Sequence, residues 1–239
     1  EGVVGSVRCY KRQAEYTYDT KNRRVTRDAV PEQGAPVSVE YAYDGWQVVE
    51  EHVIRGGGQG GGNGKGKGRG KGNGQGGETI RTYTYGNYID EPITMNASGA
   101  GPSGTYYYHT NNLYNVRALT DSSGDVAERY RYTAYGEPTI YDDQGGEISQ
   151  SAVGKPYMFQ GRRMDGETGL YYYRNRYYSA VLGRFISRDP LQYVTGYNLY
   201  EYVLGQPLNK KDPWGLFPHG EHPFKQYMRR EFEKLKRGL

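Results

Sequence analysis

Seven Tyr-Xaa-Tyr pairs recur along this chain, starting at Tyr16, Tyr41, Tyr83, Tyr106, Tyr130, Tyr171 and Tyr200. Side chains alternate along a strand, so both rings of each pair fall on one face. The steps between first tyrosines are 25, 42, 23, 24, 41 and 29 residues. Removing a 22-residue Gly-rich insert shortens the 42 to 20, and the 41 is close to two units. A unit of 20 to 25 residues holds two strands and two turns. The spacing therefore predicts stacked β-hairpins, each of which buries its face only against its neighbours.

Composition narrows this further. The chain has 239 residues, enough for one or two domains, with 35% hydrophobic residues and a mean hydropathy of −0.92. Tyr (27) far outnumbers Phe (5), so Tyr must supply most of the buried apolar area. Each buried Tyr needs a partner for its hydroxyl, which favours half-wet sheets over a thick, dry core. Cys9 is the sole cysteine, which excludes an intrachain disulfide and a cysteine zinc site. No apolar run approaches the ~18 residues of a membrane-spanning helix. The chain begins with Glu1 and shows no leader, so it is expected to be a piece of a longer protein whose export signals lie outside it.

The net charge is +4, and residues 56–77 alone carry Lys65, Lys67, Arg69 and Lys71. The rest of the chain sums to zero. This stretch has 14 glycines in 22 residues and cannot bury a core, so a flexible, solvated loop is expected. It separates EHVIRG from ETIRTYTYG, two candidate strands of one hairpin. Loop-closure entropy grows slowly with length, so a hairpin tip tolerates such an insertion. Gly-spaced cations can also contact phosphates, but no aromatic lies within the insert to stack on bases. Asn96-Ala97-Ser98 is a formal glycosylation sequon of a kind common by chance, and His109, inside a Tyr-rich strand, reads as structural. Residues 141–153 read as a polar connection.

From Pro223 the texture becomes helical: Phe224, Tyr227, Met228, Phe232 and Leu235 define one amphipathic face of a short C-terminal helix. His219 and His222 lack a convincing third ligand, so neither a metal nor a cofactor is expected.

Residues 154–216 are dense in Tyr, Arg and Gly. They carry, in order, FQGRR (159–163), ETGLYYYRNRYY, LGRFISRDP, NLYEYV and DPWGL (212–216). Five ordered blocks at matching spacing resemble the Rhs-associated core of Rhs and YD-repeat proteins. YTYDTKNRRV (16–25), YAYDG (41–45) and residues 106–139 are similar to YD repeats. The resemblance implies an all-β fold of antiparallel Tyr-rich hairpins forming a curved or spiralling sheet, part of an Rhs-type shell. It divides the chain into repeats (1–153), core (154–216) and tail (217–239).

The resemblance also implies chemistry. In Rhs proteins and the C subunits of Tc toxins the core is similar to an aspartyl autoprotease that cuts just after DPxGL and frees a variable effector enclosed by the shell. Carried onto this chain, Arg188 and Asp189 of SRDP fall at catalytic positions, Asp212 of DPWGL is the second carboxylate, and the cut lies between Leu216 and Phe217. Two carboxylates held together share a proton, so one serves as base and the other as acid. On the residues alone, both Asp-Pro steps read equally well as turn openers, with Asp189 paired to Arg184 or Arg188.

Three functions stay open. The first is a structural shell or closing module, secreted or on the cell surface. Its partners would be further repeats of a larger shell and an enclosed C-terminal effector, with or without self-cleavage. The second is a binding module for glycans or a cell envelope, which requires exposed, clustered tyrosines. The third is nucleic-acid binding through the basic Gly-rich loop.

Overall fold

The computed structural model describes residues 14–30, 36–56, 77–194 and 196–216. It is nearly all antiparallel β-structure. Eleven strands form one open meander in sequence order: β1 (Ala14–Tyr18), β2 (Arg24–Ala29), β3 (Val37–Asp44), β4 (Gln47–Arg55), β5 (Glu78–Tyr85), β6 (Pro92–Gly99), β7 (Gly104–Thr110), β8 (Val116–Thr120), β9 (Val126–Tyr132), β10 (Pro138–Tyr141) and β11 (Glu147–Ile148). A second, four-stranded meander follows: β12 (Arg163–Asp165), β13 (Leu170–Tyr173), β14 (Arg176–Ser179) and β15 (Arg184–Phe185). The predicted all-β class holds. The expected tail helix, with Phe224 to Leu235, lies outside the described residues, as do His219 and His222.

Local sequence sets the hairpins. At five connections a short polar side chain caps its own loop by accepting backbone N–H groups. Asp19 accepts from Lys21 and Arg23, Asn111 from Leu113 and Asn115, and Asp121 from Ser123 and Asp125. Thr133 and Asp142 accept from Glu137 and Gly146 in the same way. Three residues after each cap the backbone turns left-handed, at Asn22, Tyr114, Gly124, Gly136 and Gly145. This is the turn-plus-bulge loop of a hairpin, and the pairing slips by one residue beside several of these loops. The Gly-rich insert joins β4 to β5, which pair directly, so it springs from a hairpin tip; the insert itself lies outside the described residues.

The alternation works as expected for most tyrosine pairs. On β7, Tyr106 and Tyr108 face inward while Tyr107 is exposed. The inner face of the long sheet packs on the four-stranded sheet. Met95, Val116 and Leu119 meet Phe159, Tyr171, Tyr178 and Phe185 in one continuous core. Several buried tyrosine hydroxyls find backbone or one another: Tyr171 donates to the Gly136 carbonyl, Tyr178 to that of Tyr135, and Tyr173 pairs with Tyr202. One pair breaks the pattern. Tyr200 and Tyr202 lie in no strand: Tyr202 opens a single 3-10 turn (Val203–Gly205) and enters the core from a loop.

Candidate functional site

The two Asp-Pro steps converge on one buried arginine. Arg176 opens β14, whose four residues are all buried, and lies on the same face as Tyr178. Its guanidinium lies over the Phe185 ring, 3.7 Å from the centroid. One terminal nitrogen sits 3.1 Å from Asp189 Oδ2, and the other 3.6 Å from Asp212 Oδ2. Both carboxylates are buried, at 4% and 2% exposure. Burial pulls the Arg176 pKa below its ordinary value, and the two carboxylates oppose that pull. A guanidinium facing two carboxylates offsets their mutual repulsion.

Each aspartate is also a turn cap, through its other oxygen. Asp189 Oδ1 accepts from the Leu191 N–H at 2.8 Å. Asp212 Oδ1 accepts from the N–H groups of Trp214 (3.2 Å) and Leu216 (3.1 Å). The turn-opener reading is therefore met through Oδ1, and Oδ2 of each faces Arg176. That arginine is neither Arg184 nor Arg188, the partners of Asp189 that the residues alone offered. Arg188 is exposed and turned toward Tyr200, and Arg184 lies over the same ring. Nothing in the local pattern marks Arg176, since every residue of β14 is buried.

The segment after Asp212 is fixed residue by residue. Arg162 and Arg174 both donate to the Pro213 carbonyl. Asn175 donates to the Trp214 carbonyl, and Arg176 Nε to that of Gly215. Gly215 adopts φ +64°, and a Cβ there would stand 2.5 Å from the Tyr173 carbonyl oxygen. Leu216 is buried against Leu191 and Trp214. Trp214 meets Trp46, in the β3–β4 turn, edge to face at 5.2 Å. Lys211 Nζ lies 3.9 and 4.1 Å from the stacked rings of Tyr88 and Tyr114. Tips of four hairpins, β3–β4, β5–β6, β7–β8 and β13–β14, thus hold the segment from Lys211 to Leu216. Phe217 lies outside the described residues.

Of the large apolar side chains, Tyr107, Tyr193 and Tyr197 are the exposed tyrosines among the described residues. Most of the paired tyrosines serve the core, which leaves little for a clustered aromatic binding face. No helix among the described residues is long and apolar enough to cross a membrane.

No family model matches the chain. It is 40% identical over 101 residues to the uncharacterized protein YlbH of Escherichia coli K12, covering 42% of this chain and 40% of that protein. It is 37% identical over 110 residues to the toxin protein Tse5 of Pseudomonas aeruginosa, covering 46% of this chain and 8% of Tse5. The chain thus spans less than half the length of either. In a crystal structure of TcdB2-TccC3-Cdc42, a region equal to 10% of that chain matches 90% of this one, with a TM-score of 0.67 at 20% identity. That likeness shows the fold.

Proposed function

For a chain that belongs to the Rhs family, we propose a closing module of a larger β-shell that houses or displays a C-terminal effector and cuts itself after Leu216. In this reading residues 1–153 are YD-type hairpin repeats, 154–216 the core, and 217–239 the start of what is released. Secretion or display at the cell surface accords with the toxin relatives.

One observation carries the cleavage reading. Arg176 faces both carboxylates, and one of them, Asp212, also binds the N–H of Leu216, the residue whose carbonyl would be attacked. An ionised carboxylate takes a proton from water as the water oxygen attacks that carbonyl carbon, and passes that proton to the Phe217 nitrogen as the C–N bond breaks. Arg176 stays charged throughout and holds the two oxygens toward one point. Arg188 is exposed and turned toward Tyr200.

The test is intact mass of freshly purified protein beside Asp189→Asn, Asp212→Asn and Arg176→Gln. Loss of residues 217–239 from the parent, with all three variants uncut, is the expected result. A parent that stays whole at pH 5 and pH 7 would remove the protease reading and leave the shell reading standing.

A further inference from the structure

Between the two sheets lies a cavity of about 40 Å³ whose wall is unusually cationic. Arg24, Arg162, Arg163 and Arg174 line it, each no more than 7% exposed. Tyr43, Trp46, Tyr85 and Tyr157 supply much of the remaining wall. Arg24 binds Asp165 through both terminal nitrogens at 2.8 Å, in a network that also takes in Arg27 and Arg163, and Arg163 pairs with Glu51 beside Arg81. Arg162 and Arg174 share one carboxylate, Asp90. Two guanidinium groups against a single carboxylate leave one positive charge in excess.

The same wall contains unmet hydrogen-bonding capacity. Arg24 Nε, Arg162 Nε and the Tyr41 hydroxyl are buried without a hydrogen-bond partner. Groups of this kind are costly unless something satisfies them. Burial lowers the Arg162 pKa to about 9, with Arg174 repelling it, and burial lowers that of Arg174 to about 10. Both cations are thus held against a desolvation cost.

We propose that this cavity binds one small monocarboxylate anion, of formate or acetate size, between Arg162 and Arg174. The volume suits it: a single water needs roughly 10–15 Å³ by the same measure, so there is room for a few heavy atoms and none for a length of chain. The charge suits it, because one anion neutralises the excess where a dianion would reverse it. A planar carboxylate also matches the guanidinium fork better than a spherical halide does. The aromatic wall lowers the local dielectric and strengthens the attraction.

The test uses the whole chain, titrated with sodium formate and sodium acetate and, separately, with sodium chloride at equal ionic strength. Melting temperature and calorimetric heat are the readouts. Saturable binding with a rise in melting temperature is expected for the carboxylates beyond that for chloride. Arg174→Met should weaken it roughly tenfold to hundredfold, the loss of one charge-assisted hydrogen bond. Asp90→Asn removes the internal competitor and should tighten it, and if that variant is marginally folded, acetate should rescue it. Changes of opposite sign in the two variants are what a purely structural role for these residues would not produce. Equal responses to chloride and acetate, no saturable signal in either parent or Asp90→Asn, or tighter binding of a blocked Gly-Glu-Gly peptide than of acetate would each overturn the assignment.

Discussion

Asp165→Asn separates buried electrostatics from surface electrostatics in this protein. Asp165 is fully buried and accepts from both terminal nitrogens of Arg24 at 2.8 Å. Arg163 lies at 3.4 Å, Arg27 at 3.7 Å, and the Tyr16 hydroxyl donates at 3.4 Å. The amide keeps the shape and removes the charge, leaving Arg24, itself 1% exposed, without its counter-ion. Two charge-assisted hydrogen bonds at a net ~1.5–3 kcal/mol each give about 3–6 kcal/mol. Breaking a buried pair from one side costs about 3–5 kcal/mol. Either figure is a large part of the ~5–15 kcal/mol that holds a domain together. Asp19→Asn is the control. Its pair with Arg23 is just as short, 2.6 Å, but lies near the surface, and asparagine preserves the turn cap. That change should cost about 1 kcal/mol or less.

Urea unfolding, followed by circular dichroism and by the fluorescence of Trp46 and Trp214, measures both. The pH dependence adds a second check. Burial pushes the Asp165 carboxyl up, but Arg24, Arg163 and Arg27 outweigh it and hold it below the ordinary value. The folded carboxyl therefore binds its proton less readily than the unfolded one. Its contribution is complete above the unfolded pKa of ~3.9 and is lost as pH falls through the lower folded value. The parent should lose stability over that acid range, and Asp165→Asn should lose less. Equal costs for Asp165→Asn and Asp19→Asn at pH 7, or identical acid slopes in parent and Asp165→Asn, would refute the reasoning.

Two further changes test the core by urea unfolding. Lys155 is buried with its ammonium over the Tyr130 ring, 3.2 Å from the centroid, and without a hydrogen-bond partner; burial drives its pKa well down, with Glu128 opposing. Between the folded and unfolded pKa values the unfolded state binds the extra proton, so stability should rise with pH in the parent; Lys155→Met should flatten that rise and stabilise the fold at pH 7 by about 1–3 kcal/mol. Gly161 sits at φ +64°, and a Cβ there would drive into the Asp90 carbonyl oxygen. Gly161→Ala should therefore cost more than about 2 kcal/mol, the ~1–2 kcal/mol of left-handed strain plus a backbone shift.

What the sequence made legible was what depends on neighbours in the chain. Tyr-Xaa-Tyr spacing marked strand faces, because a face is set within a few residues. The pairing of ions was not legible. Arg24 meets Asp165 from 141 positions away, and only the packing of one sheet on the other brings them together. The same limit governs the candidate site. Asp189 and Asp212 were identifiable by their motifs, yet their shared partner is Arg176 rather than the adjacent Arg188. Proximity in sequence favoured Arg188, while tertiary packing brings Arg176 to both carboxylates. Tyr200 and Tyr202 show the converse limit, where a strand-like spacing sits in a turn because the bridge from Arg184 reaches only Glu201.

These buried ions settle a question that the aromatic pattern leaves open. Successive hairpins present similar tyrosine faces, so aromatic packing alone says little about where along the long sheet the four-stranded sheet docks. Charged partners remove that ambiguity. β2 offers Arg24 to Asp165, β4 offers Glu51 to Arg163, and the β5–β6 loop offers Asp90 to Arg162 and Arg174. A one-residue slip of β4 would turn Glu51 outward and strand Arg163 without its counter-ion, at a cost of about 3–5 kcal/mol. The tyrosines stabilise stacking in general, and the ion pairs select one register. The register matters for the site, because Asp90 holds the arginines that grip Pro213, next to Asp212. If this is right, the m-value of Asp165→Asn falls along with its stability, since a sheet free to settle in several positions buries less surface on average.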